Sequence, residues 1–287
     1  DASVAWWKAA TPLAMEAAHF WSLHQSFFRQ LLVAFKCRHV IHRTKKEADA
    51  GRQVVIGLQS TGEARAAEAE REGRYEDAMS APREIARLAI VNLPDDHPLH
   101  AQLAQLDLPC NALDAIMDAF GDHVAEMTGR SHRQVHGVRV SRTPVEQTNI
   151  DERTAFMQGI KPVAVISDAA SCGISLHDDV RNPVASRRVH ITLQLAWTAE
   201  KMLQQFGRTH RSNQRSAPHY IFMTSNVAGE QRFASAVARR IESLGAVTRG
   251  DRKNAHAISA ELVTRNLDTQ AGQRAICSLL NAPDANF

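Results

Sequence analysis

Residues 163–176 read Val163-Ala-Val-Ile-Ser-Asp-Ala-Ala-Ser-Cys-Gly-Ile-Ser-Leu176. An apolar, largely β-branched run ends here in a loop of small residues and serines. Such a run, bounded by turn residues, is the signature of a strand buried on both faces. Three further runs have the same character: Gln53-Val-Val-Ile-Gly-Leu58, Arg188-Val-His-Ile-Thr-Leu193 and His219-Tyr-Ile-Phe-Met223. Helical stretches separate or follow them, at residues 198–212 and at 229–244, where Phe233, Val237, Ile241 and Leu244 recur on one side. Short apolar strands alternating with helices predict an α/β fold, a parallel sheet with helices on both faces.

In such sheets ligands bind in the loops beyond the carboxyl ends of the strands. The loop after residue 166 offers Ser167, Ser171 and Ser175, hydroxyls suited to a phosphate or a nucleic-acid backbone. Gly173 permits a tight path there. A plain strand-to-helix turn accounts for the same residues. After the first run comes Gly57-Leu-Gln-Ser-Thr-Gly62, with Thr61 placed to cap a helix reaching about residue 73. It lacks the GK[ST] ending of a Walker A loop, and no G-x-x-x-x-G-K-[ST] occurs in the chain. The chain therefore cannot grip and hydrolyse ATP by that route unaided.

The densest chemical signal is Gln204-Gln-Phe-Gly-Arg-Thr-His-Arg211. On a continuous helix Gln204, Arg208 and Arg211 share one face. One amide and two guanidiniums suit a phosphate cleft, because arginine is planar, always charged and bidentate toward phosphate oxygens. A solvated basic helix face explains the same pattern.

The rest of the chain is less regular. Residues 12–36 predict a long helix, with Leu13, Ala17, Phe20, Trp21, Phe28, Leu31, Leu32 and Phe35 at three- and four-residue spacing. Residues 74–154 break the alternation and read as a mixed insertion, with a helix over 112–127. Between Met127 and Val145 no acidic residue occurs, while Arg130, Arg133, Arg139 and Arg142 do. A hairpin around Gly137 fits the end of this run. Its charge suits a wedge on DNA, or a solvated loop. The domain division is thus a helical lead-in (1–50), a core lobe (51–73 and 155–253), the insertion (74–154) and a helical tail (254–287).

Bulk properties narrow the class. With 287 residues, 44% hydrophobic and 23% charged, the chain suits one large globular domain with an elaboration. A net charge of +3 permits nucleic-acid contact without requiring it. Cys37, Cys110, Cys172 and Cys277 are too scattered for a CxxC zinc site or a disulfide framework, and a reducing compartment fits. Asp95, Asp96, His97 and His100 match no metal-ligand spacing and read as a surface loop, so no metal site is expected. No HExxH or G-x-S-x-G is present, and no apolar run is long enough to span a membrane. The start at Asp1, without an initiator Met, reads as an excised domain.

In order, the segments after residues 54, 167 and 204 resemble motifs IV, V and VI of superfamily 2 helicases. Longer strings resemble the strawberry notch family: Phe20-Trp-Ser-Leu-His-Gln-Ser-Phe-Phe28, Val54-Val-Ile-Gly-Leu-Gln-Ser-Thr-Gly-Glu-Ala-Arg65, Val124-Ala-Glu-Met-Thr-Gly-Arg130, Gln205-Phe-Gly-Arg-Thr-His-Arg-Ser-Asn-Gln214, Arg232-Phe-Ala-Ser235, Glu242-Ser-Leu-Gly-Ala246 and Gly250-Asp-Arg252. The likeness spans residues 20–253 and departs at Cys172 and His177, where the family pattern has Ser and Gln.

The resemblance implies the C-terminal, RecA-like lobe of a helicase-type ATPase, a P-loop NTPase fold whose Walker motifs lie on an N-terminal lobe. ATP and Mg2+ would be held mainly by that lobe. Arg208, Arg211 and Gln204 would face the nucleotide, with Ser175, Gly173 and Gly207 beside it. Ser60, Thr61, Ser167, Arg130 and Arg133 would meet nucleic acid. Implied partners are the N-terminal lobe, DNA or chromatin, and histones and transcription factors, with no membrane. The implied location is nuclear in a eukaryote and cytoplasmic otherwise. A transcriptional scaffold without ATP turnover, or a bacterial or phage helicase-like protein, remains the alternative.

Overall fold

A computed structural model describes residues 2–13, 17–59, 80–135, 138–167, 173–196, 198–243 and 270–280. Five parallel strands form the main sheet: β1 (Gln53–Gly57), β2 (Val124–Met127), β5 (Val163–Ile166), β6 (Arg188–Thr192) and β7 (His219–Phe222), in the order β2-β5-β1-β6-β7. A separate antiparallel hairpin pairs β3 (His132–Val135) with β4 (Val138–Ser141). The expected α/β architecture, a parallel sheet with helices on both faces, is what the chain adopts.

Side-chain alternation divides the sheet into two faces. On one, Val54 and Ile56 of β1, Val163 and Val165 of β5, and Val189 and Ile191 of β6 form one core. Val33, Cys37 and Val40 from α2 (Ala17–Asp49) and Leu113, Ile116 and Met117 from α5 (Ala112–Phe120) cover it. On the other face, Val55, Ala125, Met127, Ala164 and Ile166 pack with Phe156 of α6 (Val145–Met157). α7 (Ala199–Phe206) lies beyond it, packed through Met202 on Ala234 and Val237 of α8 (Ala228–Ser243). α9 (Gln270–Leu280) lies within the tail that was read as helical.

α2 has 33 residues and so runs about 50 Å. Its second half covers the sheet. Its first half gives Phe20, Leu23 and Phe27 to another core, built with Trp6, Trp7 and Ala10 of α1 (Ala2–Ala10). Ile85 and Ala86 of α3 (Ala81–Ala89) and Leu99 and Leu103 of α4 (Pro98–Gln105) complete that core. α3 and α4 both begin with proline at the first helical turn, after the capping side chains of Ser80 and His97.

Three expectations are corrected. The helix read over 12–36 begins at Ala17 and continues to Asp49, because Val40, Thr44 and Glu47 keep a buried side facing the lobe. The helix read over 112–127 stops at Phe120, where Gly121 takes φ +52°, and residues 124–127 instead form a strand of the main sheet. The segment read as an insertion therefore supplies a core helix and an edge strand. It also holds the β3–β4 hairpin and most of α6, while α3 and α4 belong with the N-terminal helices.

Candidate functional site

The chain passes from β5, on one side of β1, to β6 on the other. The carboxyl ends of β5, β1 and β6 therefore form a topological switch point, the place where open α/β sheets bind ligands. Leu58 N–H donates to Ile166 O at 2.9 Å and Leu193 N–H to Gly57 O at 3.1 Å, so the pairing extends to the loops. Gln59 N–H donates to the Gln194 side chain at 3.2 Å. Ser167 lies here, buried, its hydroxyl without a hydrogen-bond partner among the described residues. Ser60 and Thr61, the helix expected after them, and residues 168–172 lie outside the described residues.

The loop after β5 re-emerges at Gly173, which takes φ +80°, a conformation costly for other residues. Ser175 Oγ lies 2.7 Å from His177 Nδ1, and Ser175 O accepts from Arg153 Nε at 3.1 Å. Burial lowers the His177 pKa; Asp179 opposes this, while Arg211, Arg188 and Arg181 reinforce it. Below the loop lies Arg188, fully buried at the start of β6. Its Nε donates to Leu176 O at 2.7 Å, its Nη1 to Ser186 O at 2.6 Å and to the Gln53 side chain, and its Nη2 to His177 O at 3.4 Å.

The shared helical face expected for Gln204, Arg208 and Arg211 is not formed. α7 ends at Phe206, and Gly207, Arg208 and Thr209 make a turn. Thr209 turns inward, where its Oγ1 meets Phe206 O at 3.3 Å and His190 Nδ1 at 2.9 Å. Gln204 is exposed on the helix, Arg208 is half-buried, and Arg211 is exposed beyond the turn. Arg211 Nε donates to Gly207 O at 2.9 Å, which fixes the side chain across the turn. The three are close in sequence but are presented by a helix end and a turn.

This turn is laced to the loop after β5. Leu176 N–H donates to Arg208 O at 2.7 Å and Val180 N–H to Asn213 O at 3.0 Å. Arg215 N–H donates to Asp178 O at 2.6 Å, and its guanidinium meets Asp178 Oδ1 at 3.1 Å. Ser216 Oγ donates to Asp178 Oδ2 at 2.7 Å. Gly173, Ser175, Gly207, Arg208 and Arg211 thus sit on two segments joined by hydrogen bonds.

Beneath α7 the sheet is polar. Gln205, 2% exposed, donates through Nε2 to Leu58 O at 3.2 Å. Burial pushes the His190 pKa down to about 3, offset in part by a hydrogen bond with Gln205, so its ring is neutral at pH 7.

The basic segment divides. Arg130 turns inward, 4% exposed, and bonds Glu126 Oε1 through Nε at 2.6 Å, Glu126 Oε2 at 3.1 Å, and Asp114. Arg142 reaches the same carboxylate at 3.2 Å and donates to Glu126 O and Arg130 O at 2.7 Å each. The placing of Arg130 on nucleic acid is therefore corrected: its charge is neutralised in the interior. Arg133 lies on β3, its side chain outside the described residues. Arg142, read with Arg130 as part of the basic run suited to DNA, is likewise turned inward, and Arg188 and Gln205 have no role in the sequence reading, because each acts through partners distant in sequence. The alternation Arg188-x-His190-x-Thr192, polar on one face of a central strand, was the available signal. Among the described residues no three His, Cys, Asp or Glu side chains converge to hold a metal ion.

Residues 111–285 match the family model Helicase_C_4, described as the C-terminal domain on Strawberry notch homologue. Protein strawberry notch homolog 1 of Rattus norvegicus is 35% identical over 90% of this chain and 29% of its own length. Protein strawberry notch of Drosophila melanogaster is 51% identical over 59% of this chain and 11% of its own. The chain thus spans less than a third of the length of these relatives. Among solved structures, DUF1998 helicase MrfA, crystallised with DNA and AMPPNP, is 14% identical and covers 72% of this chain and 20% of its own, with a TM-score of 0.34.

Proposed function

This chain belongs to the strawberry notch family, whose C-terminal helicase domain it carries, and on that premise we propose that it is the second lobe of an ATP-driven motor acting on nucleic acid. The observation that carries the reading is the lacing of the turn at 207–211 to the loop at 173–180, which presents Arg208 and Arg211 as one unit. Arg208 and Arg211 approach the phosphates of ATP·Mg2+ held mainly by the preceding lobe and stabilise charge in phosphoryl transfer, as arginine fingers do. Gln204 orients the γ-phosphate or the attacking water. Gly173, Ser175 and Gly207 line the same cleft. Ser60, Thr61 and Ser167 follow the nucleic-acid backbone, and Arg133 on the hairpin adds a further contact.

The family resemblance extends the reading to the whole protein: a regulator of transcription on DNA or chromatin in the nucleus, with histones and transcription factors as partners. The test of the motor is ATP turnover by the full-length protein with and without DNA. Arg208→Ala and Arg211→Ala each lower DNA-stimulated turnover by about a thousandfold. Full turnover in both variants overturns the assignment.

A further inference from the structure

The loop after β1 and the turn after α7 are joined by one buried side chain. Gln205 Nε2 bonds Leu58 O, two residues before Ser60. The main-chain carbonyl of the same Gln205 accepts the Arg208 N–H at 3.1 Å. Arg208 O in turn accepts Leu176 N–H. A bonded path therefore runs from the carboxyl end of β1, through Gln205, to the backbone of Arg208 and on to the loop after β5.

Gly57 makes room for this path. A Cβ at residue 57 would stand 2.5, 2.6 and 2.8 Å from Oε1, Cδ and Nε2 of Gln205. Its φ is not in the left-handed region, so the glycine is required by the approach of the amide and not by backbone conformation. The amide serves two neighbouring strands: its nitrogen donates to Leu58 O at the end of β1, and its hydrogen bond with His190 offsets the burial of that ring on β6. The neighbouring Gln204, exposed on the same helix, carries none of these constraints.

We infer that Gln205 is a positioning residue that relays displacement of the β1 loop, when nucleic acid engages it, to Arg208 in the nucleotide cleft. The inference rests on the proposed roles of Arg208 and of the loop at Ser60. The glutamine acts by geometry: it ties the last turn of α7 to β1, so that the helix end follows the strand end. A shift of about 1 Å in a group that meets the transition state changes rates by up to about a hundredfold, so a tether of this kind is enough to couple the two sites.

The test uses the full-length protein, its ATP turnover measured with and without single-stranded and duplex DNA oligonucleotides, alongside DNA affinity and melting temperature. In Gln205→Met the ratio of stimulated to unstimulated turnover falls about tenfold or more, while DNA affinity stays near wild type and melting temperature falls only by what the loss of buried hydrogen bonds costs. Gly57→Ala, which displaces the amide, lowers the same ratio. The double variant Gly57→Ala/Gln205→Ala accommodates the new Cβ and regains melting temperature but not stimulation; it also serves if Gln205→Met fails to fold. Wild-type stimulation in the double variant, or in Gln205→Met, overturns the relay. If Arg208→Ala keeps full turnover, the underlying assignment fails instead, so the two failures are distinguishable.

Discussion

Arg188 Nε donates to the main-chain carbonyl of Leu176 at 2.7 Å from a fully buried position at the start of β6. Burial pulls the guanidinium pKa down to about 10, with Asp178 opposing and Arg215 reinforcing, so the group stays charged at neutral pH. Its donors go to the carbonyls of Leu176, Ser186 and His177 and to the Gln53 side chain, and its planar face lies 5.3 Å from the Phe156 ring centroid. A charge buried at this depth holds the loop that presents Ser175.

Replacing it tests that claim. Lysine supplies charge but no planar fork, so Arg188→Lys leaves several buried carbonyls without donors. The expected loss is about 3–5 kcal/mol, read from denaturant unfolding. A wild-type midpoint in Arg188→Lys rules out the bracing role.

His190 makes a pH prediction. Its folded pKa of about 3 lies below the ordinary imidazole value of 6.5, so the unfolded chain takes up a proton that the folded chain refuses. The stability contributed by the neutral ring is complete above about pH 6.5 and is lost as pH falls toward about 3, at a slope of up to about 1.4 kcal/mol per pH unit. His190→Asn, whose amide still meets Thr209, lacks this slope. Identical acid limbs for the two proteins reject the assignment.

Much of this was legible in the sequence, for identifiable reasons. β1 and β5 announce themselves through apolar runs, because strands covered on both faces must be apolar. β2 is harder to see: Val124-Ala-Glu-Met127 follows a helical pattern with only Gly121-Asp122 to mark the break, and its charged Glu126 argues against a buried strand. Glu126 is tolerated only because Arg130 and Arg142 converge on it, and pairing between segments is not encoded in local spacing. The helical face through Gln204, Arg208 and Arg211 failed for a similar reason: Thr209 is drawn out of register by His190, 19 residues away.

The same network predicts what Arg130→Ala does. It removes a guanidinium from buried Glu126 and from half-buried Asp114, leaving Arg142 as the one cation on Glu126, at a cost of about 3 kcal/mol in unfolding free energy. It removes no phosphate contact, so the slope of log binding constant against log salt for duplex DNA is unchanged. A slope reduced by about one unit, with stability intact, would return Arg130 to the nucleic-acid interface.

Lys36 and Glu230 tie the far side of the sheet together. Lys36 Nζ, on α2, donates to Leu193 O at 2.8 Å and to Met223 O at 2.9 Å, the residues directly after β6 and β7, and pairs with Glu230 of α8. The second oxygen of Glu230 accepts the Ser225 N–H at 2.7 Å. Burial pushes the Glu230 pKa up, but the bonds from Lys36 and Ser225 outweigh it and hold it below its usual value. The pair's contribution is therefore full above about pH 4.5 and is lost as pH falls through the lower folded value. Lys36→Met strips three acceptors of their donor and costs about 3–5 kcal/mol at pH 7. Glu230→Gln costs less, since its amide oxygen still accepts from Lys36. In the double variant the two losses do not add, and a coupling of about 1–3 kcal/mol is expected in a thermodynamic cycle. Additive losses would show that Lys36 acts on the strand ends alone and that α8 is held to the lobe by its apolar contacts with α7.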